Sequence, residues 1–494
     1  MAKNRRSELP GYKGFKGADN TSGEATLPGG AVREAENVDF RTDGRARRRQ
    51  GSTLKHTGTA VHSLYGWNGG HVWAETTNLY FRFGAPIAGL PTALVTGLRP
   101  REPISYTEIG EDLFWSNGRT SGIIKADRTT QQWGLASPIG VPTLTANAVG
   151  SYVAGRYQVT ITYIDADGRE SGAPGPMLIT LQDNQGIDLT NIPQPLDDNV
   201  TTIAVFVSDP DGEVLFHHSD LPDGTTTATL YQQVKGEQCS TLFMDQTPAG
   251  HIVRYANGRL ISVDNQTIYY SQPLRYGLSK VHEDYIRSAK RVTLLEPVSD
   301  GAESGFFYAD DKRTYYVDGP DPGSAQIGVV YPVGAVEGSS TFAPGTDLGL
   351  DYSGHVPIWL AKNGRPVAGI PGGQVIILND RYVADDFERG AALYRESDTI
   401  KQILIAATGK QTTSGLAAAD SAVASVHFAP QLLTDSIAIS DTVVDTVNLF
   451  GEMSFLNSAG TVFLIPKDVL DSDGNTHSIT EVFLDSDGNE HTVI

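Results

Sequence analysis

Residues 251–274 read HIVRYANGRLISVDNQTIYYSQPL, and residues 292–319 read VTLLEPVSDGAESGFFYADDKRTYYVDG. In the first, Gly258 to Val263 alternate in polarity, Asp264-Asn265-Gln266 reads as a turn, and Thr267 to Ser271 return. The second repeats the scheme, with Gly305 to Ala309, a turn at Asp310-Asp311-Lys312-Arg313, and Thr314 to Asp318. Alternation of β-branched and aromatic residues between clusters of Asp, Asn and Gly predicts paired antiparallel strands.

Working outward, the aromatic strand recurs. Tyr270 and Tyr316 lie 46 residues apart, and Tyr316 and Leu360 lie 44 apart. Trp115 precedes Tyr270 by 155 residues, and leaving out the 110 residues of a distinct block at 136–245 brings that to 45. A period of this length, built from short strands, suits the blades of a β-propeller, each a small sheet that needs stacked neighbours to bury both faces. An all-β domain with accidental spacing gives the same numbers, so both readings stand at this point.

The chain has 494 residues, too many for one ordinary core, and 53 Gly with 26 Pro favour turns over helices. One cysteine, Cys239, excludes an internal disulfide, and the opening MAKNRRSELPGYKGFKG has no apolar core of the signal-peptide kind. No run is apolar for long enough to span a bilayer as a helix, so the expectation is a protein made in a reducing cytoplasm without membrane insertion.

The net charge is −20, yet the first 50 residues hold eleven Lys or Arg against seven Asp or Glu. The acidic remainder repels phosphate, and only the N-terminal region offers a basic face. There, Pro28-Gly29-Gly30 reads as a turn, Ala35 to Phe40 as a strand, Asp43-Gly44 as a tight turn, and Arg45 to Gly51 as the return strand of a hairpin. Arg45, Arg47, Arg48 and Arg49 are candidates for phosphate binding or for pairing with acidic groups on another subunit; in so acidic a chain the second is favoured. The first 25 residues, polar and without periodicity, are expected to order only against a partner.

The order Pro-Gly-Gly-Ala, Asn-Val-Asp-Phe, Asp-Gly, and a basic run ending Arg-Gln-Gly resembles the N-terminal signature of bacteriophage tail structural proteins, including the nozzle, or tail tubular protein B, type. Gln272-Pro273-Leu274-Arg275-Tyr276-Gly277 after a strand adds to the resemblance, which spans residues 25–400 as scattered motifs. It implies a non-enzymatic virion protein without cofactors, a nozzle-like ring forming part of the DNA-ejection conduit. It further implies a cyclic homo-oligomer, a hexamer by resemblance, that meets tail adaptor or tube proteins and tail fibres, with DNA only as transiting cargo.

Within 136–245, Tyr157, Val159, Ile161 and Tyr163 alternate with Gln158, Thr160 and Thr162, and six or seven short strands follow one another. This predicts an inserted fibronectin-type, Ig-like β-sandwich. The expected organisation is all-β: an arm and basic hairpin over 1–60, a β-propeller-like platform over 61–135 and 246–430, the sandwich over 136–245, and a small β-tail over 431–494. One helix is expected, in the Ala-rich run GLAAADSAVASV at 415–426.

Other chemistry is weighed and set lower. Trp67 and Trp73 could stack on sugars, making a glycan- or receptor-binding tail module the alternative function, but filling the wedge between blades is the commoner use of such residues. His217 and His218 are adjacent in a strand and point to opposite faces, so they do not readily share a metal. Asp165, Asp167 and Glu170, and the terminal LDSDGN repeats at 470 and 484, lack a full calcium loop and read as hairpin turns. No nucleophile elbow, phosphate loop or paired-carboxylate motif emerges, and a propeller glycosidase is the weakest alternative.

Overall fold

The computed structural model describes residues 15, 17–33, 38–40, 45–48, 58–83, 93–299, 304–319, 323–350, 352, 354–384, 387–397, 400–409, 421–427, 433–439, 454–456, 462–464, 483–484 and 490–491. Among these, the regular structure is β-strand, with three short 3₁₀ turns and no α-helix. The fold is all-β and propeller-like in its construction. Five four-stranded antiparallel meanders begin at Val61, Ser105, Leu294, Thr341 and Phe387, and a six-stranded sheet lies within residues 245–287. Where consecutive sheets follow without interruption their starts are roughly 45 residues apart, the blade-like repeat expected.

The residues that suggested that period are not equivalent positions, however. Trp115 and Leu360 lie in the second strands of their sheets, whereas Tyr270 and Tyr316 lie one hairpin later, opposite Ile261 and Phe307. The repeat is of whole sheets, and the aromatic residues mark it loosely because any buried strand position accepts one.

The chain divides into two compact units, residues 1–104 with 288–494, and residues 105–287. In the first unit, sheets stack face on face. In the strand His355–Leu360, Trp359 packs with Phe307 and Val367 toward the preceding sheet, while Ile358 and Leu360 pack with Phe387 and Ile403 toward the following one. Side chains alternate across a strand, so a sheet buried on both faces reads as a continuous apolar run. Phe307 sits 5.0 Å from Tyr316 and 5.6 Å from Trp359 between ring centroids. Glycine is required opposite it: a Cβ on Gly369 would stand 2.5 Å from the Phe307 ring.

The N-terminal stretch departs from expectation. Residues Gly17–Ala18 pair in parallel with Ala31–Val32, and the segment that follows docks within the chain. Asn20 donates from Nδ2 to the carbonyl of Val383 (2.8 Å) and accepts from its N–H (3.0 Å), while the Asn20 N–H donates to the carbonyl of Arg381 (3.1 Å). Asp19 is buried and accepts from the Thr21 and Ser22 N–H groups, locking the turn. Residues 17–22 therefore need no partner to order, because an asparagine side chain satisfies both backbone groups of Val383 in the manner of a ladder.

The Ala-rich run is a second correction. Ser421–His427 is a strand, paired antiparallel with Gln402–Thr408 on one side and Leu433–Ile439 on the other, and the remainder of 415–426 lies outside the described residues. Two neighbouring strands outweigh the helical preference of alanine, which is worth only tenths of a kcal/mol per residue. In the terminal repeat, Phe483–Leu484 pairs with Glu490–His491, the hairpin read there; the copy at 470–479 lies outside the described residues.

In the second unit, two stretches of backbone stand side by side where the inserted block leaves and rejoins its neighbours. Ser137 Oγ donates to the Met244 carbonyl (3.1 Å), and Gln246 Nε2 to the Gly134 carbonyl (2.8 Å). Between them seven strands form two sheets. Thr143–Tyr152, Gln185–Thr190 and Ala228–Leu230 make one, and Met177–Leu181, Gly155–Asp165, Val200–Ser208 and Leu215–Pro222 the other. Tyr157, Val159, Ile161, Leu189, Val205 and Leu230 close a single core between them. The block is a two-layer β-sandwich whose first two strands lie in different sheets. The constant-type immunoglobulin order puts them in the same one.

Candidate interaction surface

The basic hairpin forms where the sequence placed it. Val38–Phe40 and Ala46–Arg48 pair antiparallel, with Val38 opposite Arg48, Asp39 opposite Arg47 and Phe40 opposite Ala46. Arg45 and Arg48 are exposed, Arg47 stands in register with the buried Asp39, and Arg49 lies outside the described residues.

Trp67 and Trp73 are not available to a sugar. They are 4% and 5% exposed; Trp67 meets Phe81 edge-on at 5.5 Å and Trp73 stacks on Tyr80 at 5.8 Å. The glycan-stacking role is therefore corrected to packing, because a ring already covered by its neighbours offers no face to a ligand.

The polar constellations prove to be turn and strand hardware. His217 Nε2 pairs with Asp220 Oδ1 at 2.8 Å, while His218 bonds Ser219 Oγ and the Gln232 carbonyl, so the two rings diverge. Asp165 accepts from the N–H groups of Asp167 and Arg169 and from Arg169 Nε, closing the turn on itself. Asp167 binds Lys125 at 2.8 Å, and Arg169 reaches the Gln132 carbonyl at 2.7 Å, so this turn braces the inserted sandwich on the neighbouring sheet. Asp310 repeats the device, accepting from the N–H groups of Lys312 and Arg313. Cys239 is buried, and burial pushes its thiol up, which keeps it protonated and unreactive. Among the described residues no group of three His, Cys, Asp or Glu is placed to hold a metal ion. Nor is any helix among them long and apolar enough to cross a membrane.

Sequence reasoning missed one polar cluster. Asp347 accepts from Lys401 Nζ (2.6 Å) and from the Tyr394 hydroxyl, tying the turn Gly345–Leu348 to two strands of the last meander. Its members are up to 54 residues apart, so only the fold shows them as a set.

No family model matches the chain, and no curated protein does. Solved structures resemble it only faintly. The computationally designed Ika8 protein aligns at 12% identity with TM-score 0.26, covering 79% of this chain and 100% of its own. A prolyl endopeptidase aligns at 10% identity with TM-score 0.26, covering 87% of this chain and 63% of its own. PorZ, a surface component of the type-IX secretion system of Porphyromonas gingivalis, aligns at 12% identity with TM-score 0.14, covering 83% and 71%. Likeness this slight assigns no activity.

Proposed function

We propose that the chain is a structural component of a phage tail, a nozzle-like ring that forms part of the DNA-ejection conduit and seats neighbouring tail proteins. The observation that carries the reading is the division of charge: an exposed arginine hairpin, within the motif that resembles tail proteins, on a chain of net charge −20. Acidic walls give passing phosphate no counterion-releasing contacts, so DNA moves along them without adhering. A basic hairpin on the same chain suits contact with an acidic subunit surface. Stacked sheets whose polar groups are spent on turns supply stiffness and not chemistry. The seven-stranded insert is taken as a fibronectin-like module that extends from this platform.

The test is imaging of the purified protein and of the intact particle, followed by reversal of the channel-facing carboxylates to lysine. Rings at the tail end, with slowed DNA delivery from normally assembled particles, are expected. Isolated molecules that never form a ring, or unchanged delivery after charge reversal, would sink the reading.

A further inference from the structure

The strand Gln326–Tyr331 closes the sheet that begins at Leu294, pairing on one side with Thr314–Asp318 and on the other with no strand among the described residues. It differs from the last strands of the other four-stranded meanders. Ala93–Val95, Thr130–Gln131 and Val375–Ile377 have three, two and three residues, and Leu433–Ile439 runs beside Gly17–Ala18. Gln326–Tyr331 has six residues, its first four are exposed, and Ile327 and Val329 stand 47% and 53% open to solvent. From Pro322 to Val336 the sequence holds no charged residue. Folded chains ordinarily blunt a sheet edge by shortening it, charging it or covering it, and this one shows none of the three. A bulge at Val330 confines the flat part of the edge to Gln326 through Val329.

The ladder fixes which backbone groups face outward. In the neighbouring hairpin the Asp310 N–H donates to the Arg313 carbonyl (3.0 Å) and the Gly319 N–H to the Ser304 carbonyl (3.2 Å). Bonded pairs alternate along an antiparallel ladder, so Tyr315 and Val317 turn their backbone groups toward Ser304–Ala309, and Tyr316 and Asp318 turn theirs toward Gln326–Tyr331. Gly328, opposite Tyr316, and Gln326, opposite Asp318, are therefore bonded inward. The N–H and C=O groups of Ile327 and Val329 point out of the sheet.

We propose that this edge pairs antiparallel with the same strand of a second copy of the chain, on a twofold axis at Gly328. That register sets Ile327 opposite the partner's Val329, so the outward backbone groups exchange both bonds of each pair and exposed β-branched side chains meet on one face. Gly328 falls opposite itself at the close, non-bonded position, where neither residue brings a side chain to clash. Charge selects a second copy laid on this edge: two bodies of net charge −20 repel, and here neither brings a carboxylate to the contact. A single strand pair buries less than the roughly 1,200 Å² of a stable complex, so the association is weak and concentration-dependent. Being isologous, it closes at two copies, and it does not depend on the ring reading.

Disulfide trapping reads the register. A Cβ added at Gly328 meets nothing within 4 Å, so Gly328→Cys fits the fold, and the native Cys239 is buried. Across the twofold the two Gly328 Cα atoms would lie about 4.5 Å apart, within disulfide range, and the two Gln326 Cα atoms about 14 Å apart along the strands. Under mild oxidation Gly328→Cys should form covalent dimers at least about tenfold faster than Gln326→Cys, and adding Ile327→Lys should remove the difference. Sedimentation of the native chain should show a monomer–dimer equilibrium that strengthens with salt, which screens the two acidic bodies, and that Ile327→Lys weakens at least about tenfold. Equal trapping rates, dimers that ignore Ile327→Lys, association that weakens with salt, or a native chain monomeric at every concentration overturns the pairing. Rings of more than two copies that persist unchanged in Ile327→Lys overturn it and leave the ring reading intact, whereas dimers without rings uphold the pairing and count against the ring.

Discussion

Asp347 shows how one partly buried carboxylate can carry a measurable pH signature. Burial alone would raise its pKa, yet the hydrogen bonds from Lys401 and Tyr394 outweigh burial and hold it below the usual carboxylate range. The same contact, by its hydrogen bond first, holds the Lys401 ammonium above its ordinary value. A depressed carboxyl contributes stability above its unfolded pKa and loses it as pH falls through the folded one; a raised ammonium contributes below its unfolded pKa and loses it as pH rises through the folded one. The pair thus stabilises the fold between the carboxylate and ammonium ranges. Lys401→Met should lower stability at neutral pH by about 1 kcal/mol, a figure kept small because the lysine is 38% exposed and screened. The gap between native and variant melting temperatures should close once pH drops below the depressed carboxyl range; a gap that persists there would refute the assignment. None of this was legible in the sequence, where Asp347, Tyr394 and Lys401 stand in unrelated stretches. By contrast, the turn roles of Asp165 and Asp310 were legible, since an Asp that caps its own turn needs only local sequence.

The segment 17–22 and the strand it grips form the next level of organisation. Asn20→Ala removes two hydrogen bonds that leave Val383 backbone groups part-buried, at a cost of about 1–3 kcal/mol. The expected result is faster amide exchange over 379–384 with exchange in the 143–230 strands unchanged; slow exchange retained at 379–384 would show that the clasp contributes nothing. Truncation before Gly17 should spare this contact, and truncation after Thr26 should abolish it. A reader of the sequence sees only a polar stretch here, because its partner lies more than 360 residues away. The strands themselves were easier: alternation at Gly305 to Ala309 and Thr314 to Asp318 is a local signal, and those strands pair with Phe307 opposite Tyr316. The run 415–426 misled for the opposite reason: over 421–426, where it is described, its alanines accept either conformation and the choice fell to the strands on each side.

For the molecule as a whole, the inserted sandwich is the clearest modular feature. Its two connections are stitched together at Ser137 with Met244 and Gly134 with Gln246, and its core, from Tyr157 to Leu230, is closed within itself. Replacing residues 139–241 by a short Gly-Ser linker should therefore leave the rest of the chain folded, because both ends already lie within a hydrogen bond of each other. The check is a cooperative melt and a retained N-terminal clasp by amide exchange; aggregation on expression would show that the sandwich is needed for folding.

Alternation, turn residues and charge were enough by themselves to establish an all-β chain of short meanders, a two-layer insert and an arginine hairpin on an acidic body. These depend on neighbours within a few residues, where sterics and solvation act directly. Which tryptophans are sealed, that residues 17–22 grip Val383, and that carboxylates from two separate turns act on Tyr157 were decided only in three dimensions. There, packing and long-range hydrogen bonds choose among side chains that the chain presents with equal local credentials.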